Sequence, residues 1–311
     1  RDSVIQKIEK MEPFVREGNL WDYYFDAQRC QIDLYSYREQ IEFAINKSLE
    51  MYQKAQEANN VRGLIGAKQC LANAYMGTGR WEEGKKALEE AHMLLPKLDN
   101  VIVHNSVLCQ LVSLSKAKDD FENLKKYLDE QKSILEDYIR KNPTMEEAFQ
   151  DPLIFNELYY AYYYLEMNQP HSAFEHLQKG AKYLTPHTYF MYRVLYYDAY
   201  ALYYRRCKEY DKALSQLDST IVLLQEAFSS DYVNQLSAKA DILVEAGRSQ
   251  EALPIYEKVL QMKDSLVTEL SDKQMKLIQS NYHINKIALE EEQLKNKIQL
   301  IVLIVIGTTL I

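Results

Sequence analysis

The chain of 311 residues carries a net charge of −8 at pH 7 and is 47% hydrophobic, with only 9 Gly and 7 Pro. The apolar content excludes a disordered chain, and the acidic balance excludes a nucleic-acid surface, which needs clustered Lys and Arg to neutralise phosphates. So few helix breakers over this length predict an all-α protein, either two domains or one elongated array.

Taken in chain order, residues 1–20 read as an N-terminal helix carrying Val4, Ile5, Ile8 and Met11, interrupted near Pro13. Arg1 in place of an initiator Met reads as a fragment or a processed form, including a position after a removed signal peptide.

Residues 21–264 are periodic. The clearest unit runs from Ile65 to Leu98, with Leu71, Ala72, Tyr75, Gly79, Arg80, Trp81, Gly84, Leu88, Ala91 and Pro96. Two antiparallel helices approach closely only where side chains are small, which Ala72 and Gly84 provide. Tyr75 and Leu88 fill the space beside them, and Gly79 permits the turn. One such hairpin cannot bury its second face, so neighbours must stack. The small residue of the second helix serves as a ruler. It recurs at Ala44, Gly84, Leu124, Ala173, Ala213 and Ala252, in steps of 40, 40, 49, 40 and 39, with the units at Ala44 and Leu124 degenerate. The step of 49 contains Lys141-Asn142-Pro143-Thr144 and Asp151-Pro152, the expected irregular linker.

This pattern resembles the tetratricopeptide repeat (TPR), whose unit is about 34 residues. The longer steps here predict longer helices or connections. The resemblance implies six hairpins in a right-handed α-α superhelix, with ligands along a concave face lined by the first helix of each unit. Carried over by register, the groove positions are Arg29, Asp33, Gln69, Asn73, Ser113, Tyr162, Asp198, Arg205 and Asp241. Their mixed polarity fits a protein or peptide ligand, although exposed polar side chains on a solvated face need no function. Some family members grip a peptide carboxylate with a Lys/Asn/Arg clamp. Here Asn73 is present, but Gln69 stands where Lys is needed.

The 25 tyrosines concentrate at residues 159–164 and 189–204. Tyr164 and Tyr204 sit where the repeat takes a core aromatic, and Tyr162 is the one expected in the groove. Cys30, Cys70, Cys109 and Cys207 form no CxxC pair, and the first three, spaced 40 and 39 apart, read as small buried hydrophobes. His171 and His176, five residues apart, do not share a helical face as a metal pair would. No catalytic motif, metal site or cofactor site is expected.

After the last repeat, residues 265–297 contain no Gly or Pro. Leu270, Leu277, Ile284 and Ile298 recur at multiples of seven, with Ile287 and Leu294 in the partner seam and Ser280 and Glu291 interrupting it. Two readings stay open: a coiled coil, pairing two copies through residues 270–301, or a single helix capping the array. Residues 298–311 carry no charge and reach about 21 Å as a helix, against roughly 30 Å for a membrane core. They are expected to begin a transmembrane helix and so contact the membrane, a buried core helix being the competing reading.

Repeats, a connecting helix and an apolar segment in this order resemble bacterial membrane-anchored sensor proteins. In those, an extracytoplasmic TPR domain precedes a transmembrane helix and a cytoplasmic histidine kinase or DNA-binding module. The resemblance implies a non-catalytic sensor region in a single-pass protein of the cytoplasmic membrane, whose parent chain is a candidate histidine kinase. A membrane-tethered scaffold for assembling protein complexes is the alternative, since the repeat is general-purpose.

Overall fold

The computed structural model describes residues 11, 14–15, 17–37, 40–225, 230–265 and 267. Among these there is no strand, and the helices alternate as hairpins. In order they are α1 (Trp21–Tyr37), α2 (Ile41–Glu57), α3 (Val61–Gly77), α4 (Trp81–Leu94), α5 (Val101–Ala117), α6 (Phe121–Lys141), α7 (Gln150–Glu166), α8 (Pro170–Lys182), α9 (Phe190–Arg206), α10 (Tyr210–Leu224) and α11 (Ser230–Glu245). A twelfth helix, α12, covers 249–265. The odd-numbered helices are the first of each hairpin and the even-numbered ones the second. Six hairpins result.

Every ruler residue is buried and is the fourth residue of an even-numbered helix: Ala44, Gly84, Leu124, Ala173, Ala213 and Ala252. A Cβ on Gly84 would lie 2.6 Å from Met76 Cγ and 3.3 Å from the Ala72 carbonyl oxygen, so the close approach of α3 and α4 is real.

The turns inside the hairpins are also one device repeated. Gly79, Asp119, Asn168, Lys208 and Gly247 each take a positive φ, two residues before the following helix begins. The next residue then returns its N–H to a carbonyl five back: Arg80 to Tyr75 at 2.9 Å, Asp120 to Ser115 at 2.9 Å, Gln169 to Tyr164 at 2.8 Å, Glu209 to Tyr204 at 2.9 Å and Arg248 to Leu243 at 2.8 Å. This is the helix-ending arrangement that satisfies orphan carbonyls while reversing the chain. Asn60, Asn100 and Asp120 cap α3, α5 and α6 by accepting backbone N–H bonds.

The long step is structured. Helix α6 runs to 21 residues, and two 3-10 turns, Pro143–Met145 and Glu147–Phe149, lead into α7. The ring of Phe149 packs on Tyr138 with centroids 5.0 Å apart, pinning the connection to α6.

Cys70 is buried as expected, whereas Cys30 and Cys109 depart from expectation. All four are free, but only Cys70 is buried; Cys109 and Cys207 are half-buried and Cys30 is exposed. Cys70 faces the preceding hairpin, its Sγ 3.9 Å from Asp33 Oδ1. Cys30 holds the same register one unit earlier, where among the described residues no earlier hairpin stacks over it. Cys109 falls one residue out of register, which turns it part-way round the helix.

Of the N-terminal segment, residues 11, 14–15 and 17–18 are helical and Val15 is buried. The connector at 265–297 and the apolar run at 298–311 lie outside the described residues, apart from Ser265 and Val267. Among the described residues no helix is long and apolar enough to cross a membrane.

Candidate binding wall

The odd-numbered helices line one wall: α1 packs on α3, α5 on α7 and α7 on α9, while side-chain hydrogen bonds link α3 to α5 and α9 to α11. All nine sequence-predicted positions lie on these helices. Most are engaged with side chains of neighbouring helices rather than free.

Gln69 is buried on α3 at 3% exposure and donates to Ser106 Oγ at 3.0 Å and Gln110 Oε1 at 2.7 Å, both on α5. Gln110 in turn donates to Asn73 Oδ1 at 2.8 Å. These residues are therefore a seam between the second and third hairpins. Arg29 and Asp33 sit on α1, where burial raises the Asp33 carboxyl above its usual range against the lowering effect of Arg29. Arg205 forms a two-pronged pair with Glu245 on α11, its terminal nitrogen 2.6 Å and its Nε 3.1 Å from the carboxylate. Asp241 accepts from the Tyr256 hydroxyl at 2.6 Å. Neither Arg205 nor Asp241 lines the cavity at the centre of the wall.

The centre of the wall is different. Ser113 of α5 shares a hydrogen bond with the Tyr159 hydroxyl of α7 at 3.1 Å. Tyr162, also on α7, is only 4% exposed and donates its hydroxyl hydrogen to Asp198 Oδ2 on α9. Gln235 of α11 donates to Asp198 Oδ1 at 3.0 Å, leaving its own Oε1 buried without a donor. The Lys116 ammonium lies over the Tyr162 ring, 3.7 Å from its centroid and 4.0 Å from Asp198 Oδ2. Burial lowers the Lys116 pKa, opposed by the charges of Asp198, Asp231 and Glu166. Burial also pushes the hydroxyls of Tyr159 and Tyr192 up to about 12.

Around these groups opens a cavity of about 520 Å³, drawing side chains from α5, α7, α9 and α11. Phe155, Tyr159 and Tyr192 give it an aromatic wall, and Lys116, Asp198 and Asp231 its charge. Of the predicted positions it brings together Ser113 and Asp198, with Tyr162 buried beneath them rather than facing the groove. Sequence reasoning missed Lys116, Tyr159, Tyr192, Asp231 and Gln235. Lys116 had a legible signal: it precedes the ruler residue Leu124 by the same interval that separates Arg205 from Ala213.

A second cleft, of about 530 Å³, lies between α6 and α8. Its charges are largely cancelled within α6 by Lys125–Asp129 at 2.6 Å, Lys132–Glu136 at 3.7 Å and Arg140–Asp137 at 2.5 Å. His176 stacks against both Tyr160 and Tyr164 and pairs with Glu157 at 2.6 Å, whereas His171 reaches Glu175 at 3.4 Å. Among the described residues no three His, Cys, Asp or Glu side chains are grouped to hold a metal ion.

No family model matches the chain, and no curated protein does. Solved structures do. A chain of the APC/C hetero-tetramer Cut9–Hcn1 superposes with a TM-score of 0.56 at 13% identity, over 87% of this chain and 46% of that one. BtubC (BKLC) from P. vanneervenii gives 0.51 at 12% identity, over 73% of this chain and 92% of that one. A tetratricopeptide repeat protein from Parabacteroides merdae ATCC 43184 gives 0.46 at 13% identity, over 80% and 88% respectively. At such identities the likeness is one of fold. The class it defines is the TPR-like α-α superhelix. Within that class the described residues of this chain form an array of six hairpins with an aromatic, charged cavity in its first-helix wall.

Proposed function

We propose that this chain binds an extended peptide segment of a partner protein along its first-helix wall and relays occupancy through its C-terminal segment to a membrane-anchored output. The observation that carries the binding half is the cavity itself, since it is built from four consecutive first helices and so senses their relative placement. A ligand that fits it better in one curvature of the array than another shifts the population toward that curvature.

A row of apolar residues at the C-terminal end of the array supports the relay. Leu253 and Leu260 on α12 and Val267 beyond its end are exposed at seven-residue intervals, and the sequence continues with apolar residues at Leu270, Leu277 and Ile284. An unpaired row of this spacing fits a helix that pairs with a second copy or with a following element. The apolar run at 298–311 would then enter the cytoplasmic membrane, with the repeats on its outer side and a histidine kinase or DNA-binding output within. Membrane anchoring, topology and output rest on sequence resemblance.

Panning the purified protein against displayed random peptides tests the binding half. Enriched sequences are expected, and Tyr192→Ala should abolish their capture. Peptides whose capture is unchanged by Tyr192→Ala would count against this site. Recovery of a stable stoichiometric complex from solubilised membranes, with no change in any output on ligand addition, would favour the scaffold reading.

A further inference from the structure

The cavity spanning α5, α7, α9 and α11 has a composition that selects for charge. Its lining holds one cation, Lys116, and two carboxylates, Asp198 and Asp231. Lys116 and Asp198 lie 4.0 Å apart and offset each other. Asp231, in the first turn of α11, is exposed and forms no hydrogen bond or ion pair among the described residues, so one negative charge is left over.

The aromatic faces are distributed in the same sense. The Lys116 ammonium occupies the Tyr162 ring and stands 5.9 Å from that of Tyr159, but no cation lies over Tyr189 or Tyr192 among the described residues. These two rings pack edge to face, with centroids 6.3 Å apart. Tyr189, Tyr192 and Asp231 line the same cavity, and ring faces and a carboxylate that share a cavity attract a cation through the ring quadrupole and the carboxylate charge together. An anion would meet two carboxylates and find Lys116 already matched. At about 520 Å³ the space exceeds one side chain and accommodates a side chain with its flanking backbone.

We propose that this cavity takes a cationic side chain, arginine or lysine, from the peptide ligand, with its charge held between Asp231 and the rings of Tyr189 and Tyr192. This rests on the peptide-binding reading above and names its chemistry.

Methyl NMR of the full chain labelled at its methionines tests it, because Met191 lines the cavity and reports on occupancy. The probes are blocked pentapeptides of alanine with arginine, citrulline or glutamate at the centre; citrulline keeps the shape of arginine without its charge. The arginine peptide is expected to shift the Met191 signal saturably. Citrulline should bind at least about ten-fold more weakly, and Asp231→Asn should cost the arginine peptide about ten-fold while leaving the other methionine signals in place. Equal binding of arginine and citrulline would overturn the charge selectivity while leaving a peptide site standing. Tightest binding by the glutamate peptide would assign the charge preference to Lys116 and overturn the proposal. No shift at Met191 with any peptide would overturn both this proposal and the peptide reading of the cavity.

Discussion

Tyr162 donates its hydroxyl hydrogen to Asp198, which lies 36 residues further along the chain, and so joins the fourth hairpin to the fifth. The other oxygen of the same carboxylate accepts from Gln235 on the sixth. One side chain therefore bridges three consecutive hairpins. Removing the Tyr162 hydroxyl leaves a half-buried carboxylate short of a donor, at a cost of about 1–3 kcal/mol. Tyr162→Phe should accordingly lower the denaturant midpoint measurably despite its near-identical shape; an unchanged midpoint would show that water replaces the bond without penalty.

Buried and half-buried tyrosines are expected to set the alkaline limit of stability. Burial holds Tyr159 and Tyr192 up at about 12, and Tyr160, Tyr162 and Tyr200 are raised as well. In the unfolded chain these hydroxyls titrate near their ordinary value of about 10. Above that pH the unfolded chain releases protons that the folded chain retains, so unfolding becomes more favourable as pH rises. The stabilisation is complete below about pH 10 and is lost as the pH climbs toward the folded values. Urea midpoints should be flat on this account from neutrality to about pH 9.5 and fall steeply above it. Phenolate absorbance should appear in step with unfolding.

Gly63, in α3, is held between two other helices. An added Cβ would meet the Phe25 ring carbons at 2.6 and 2.7 Å and the Ala55 Cβ at 2.8 Å. Alanine gains helix propensity of about 1 kcal/mol, but overpacking against a ring and a second backbone-attached carbon costs about 1–3 kcal/mol. Gly63→Ala should be net destabilising in thermal melts. A stabilised variant would show that the first two hairpins can separate without loss.

Lys208 holds a φ of 60° at a turn where Gly79 and Gly247 stand in equivalent hairpins. A side chain in this region costs about 1–2 kcal/mol, partly offset by the greater entropy that glycine loses on folding. Lys208→Gly is expected to raise the denaturant midpoint by a margin equivalent to about 0.5–1 kcal/mol. A lower midpoint would mean that the lysine makes a compensating contact.

The architecture was legible because its cause is local and repeated. A small residue four places into a helix lets two backbones approach, and its recurrence at Ala44, Gly84, Leu124, Ala173, Ala213 and Ala252 located all six second helices. The wall was only partly legible. Register placed Gln69, Asn73, Ser113 and Asp198 on the correct helices, but not their mutual bonds, which join residues 36 to 46 apart and depend on side-chain reach. Tyr159 and Tyr192 were hidden among many tyrosines. Cys30 failed because periodicity alone does not reveal that, among the described residues, no earlier hairpin stacks on the first.

Amide hydrogen exchange, followed by mass spectrometry with and without a peptide selected on this protein, tests the central claim most directly. Binding across the first-helix wall predicts slowed exchange in α5, α7, α9 and α11, with α6, α8 and α10 little changed. Protection confined to the even-numbered helices, or to α1 and α2 alone, would contradict it.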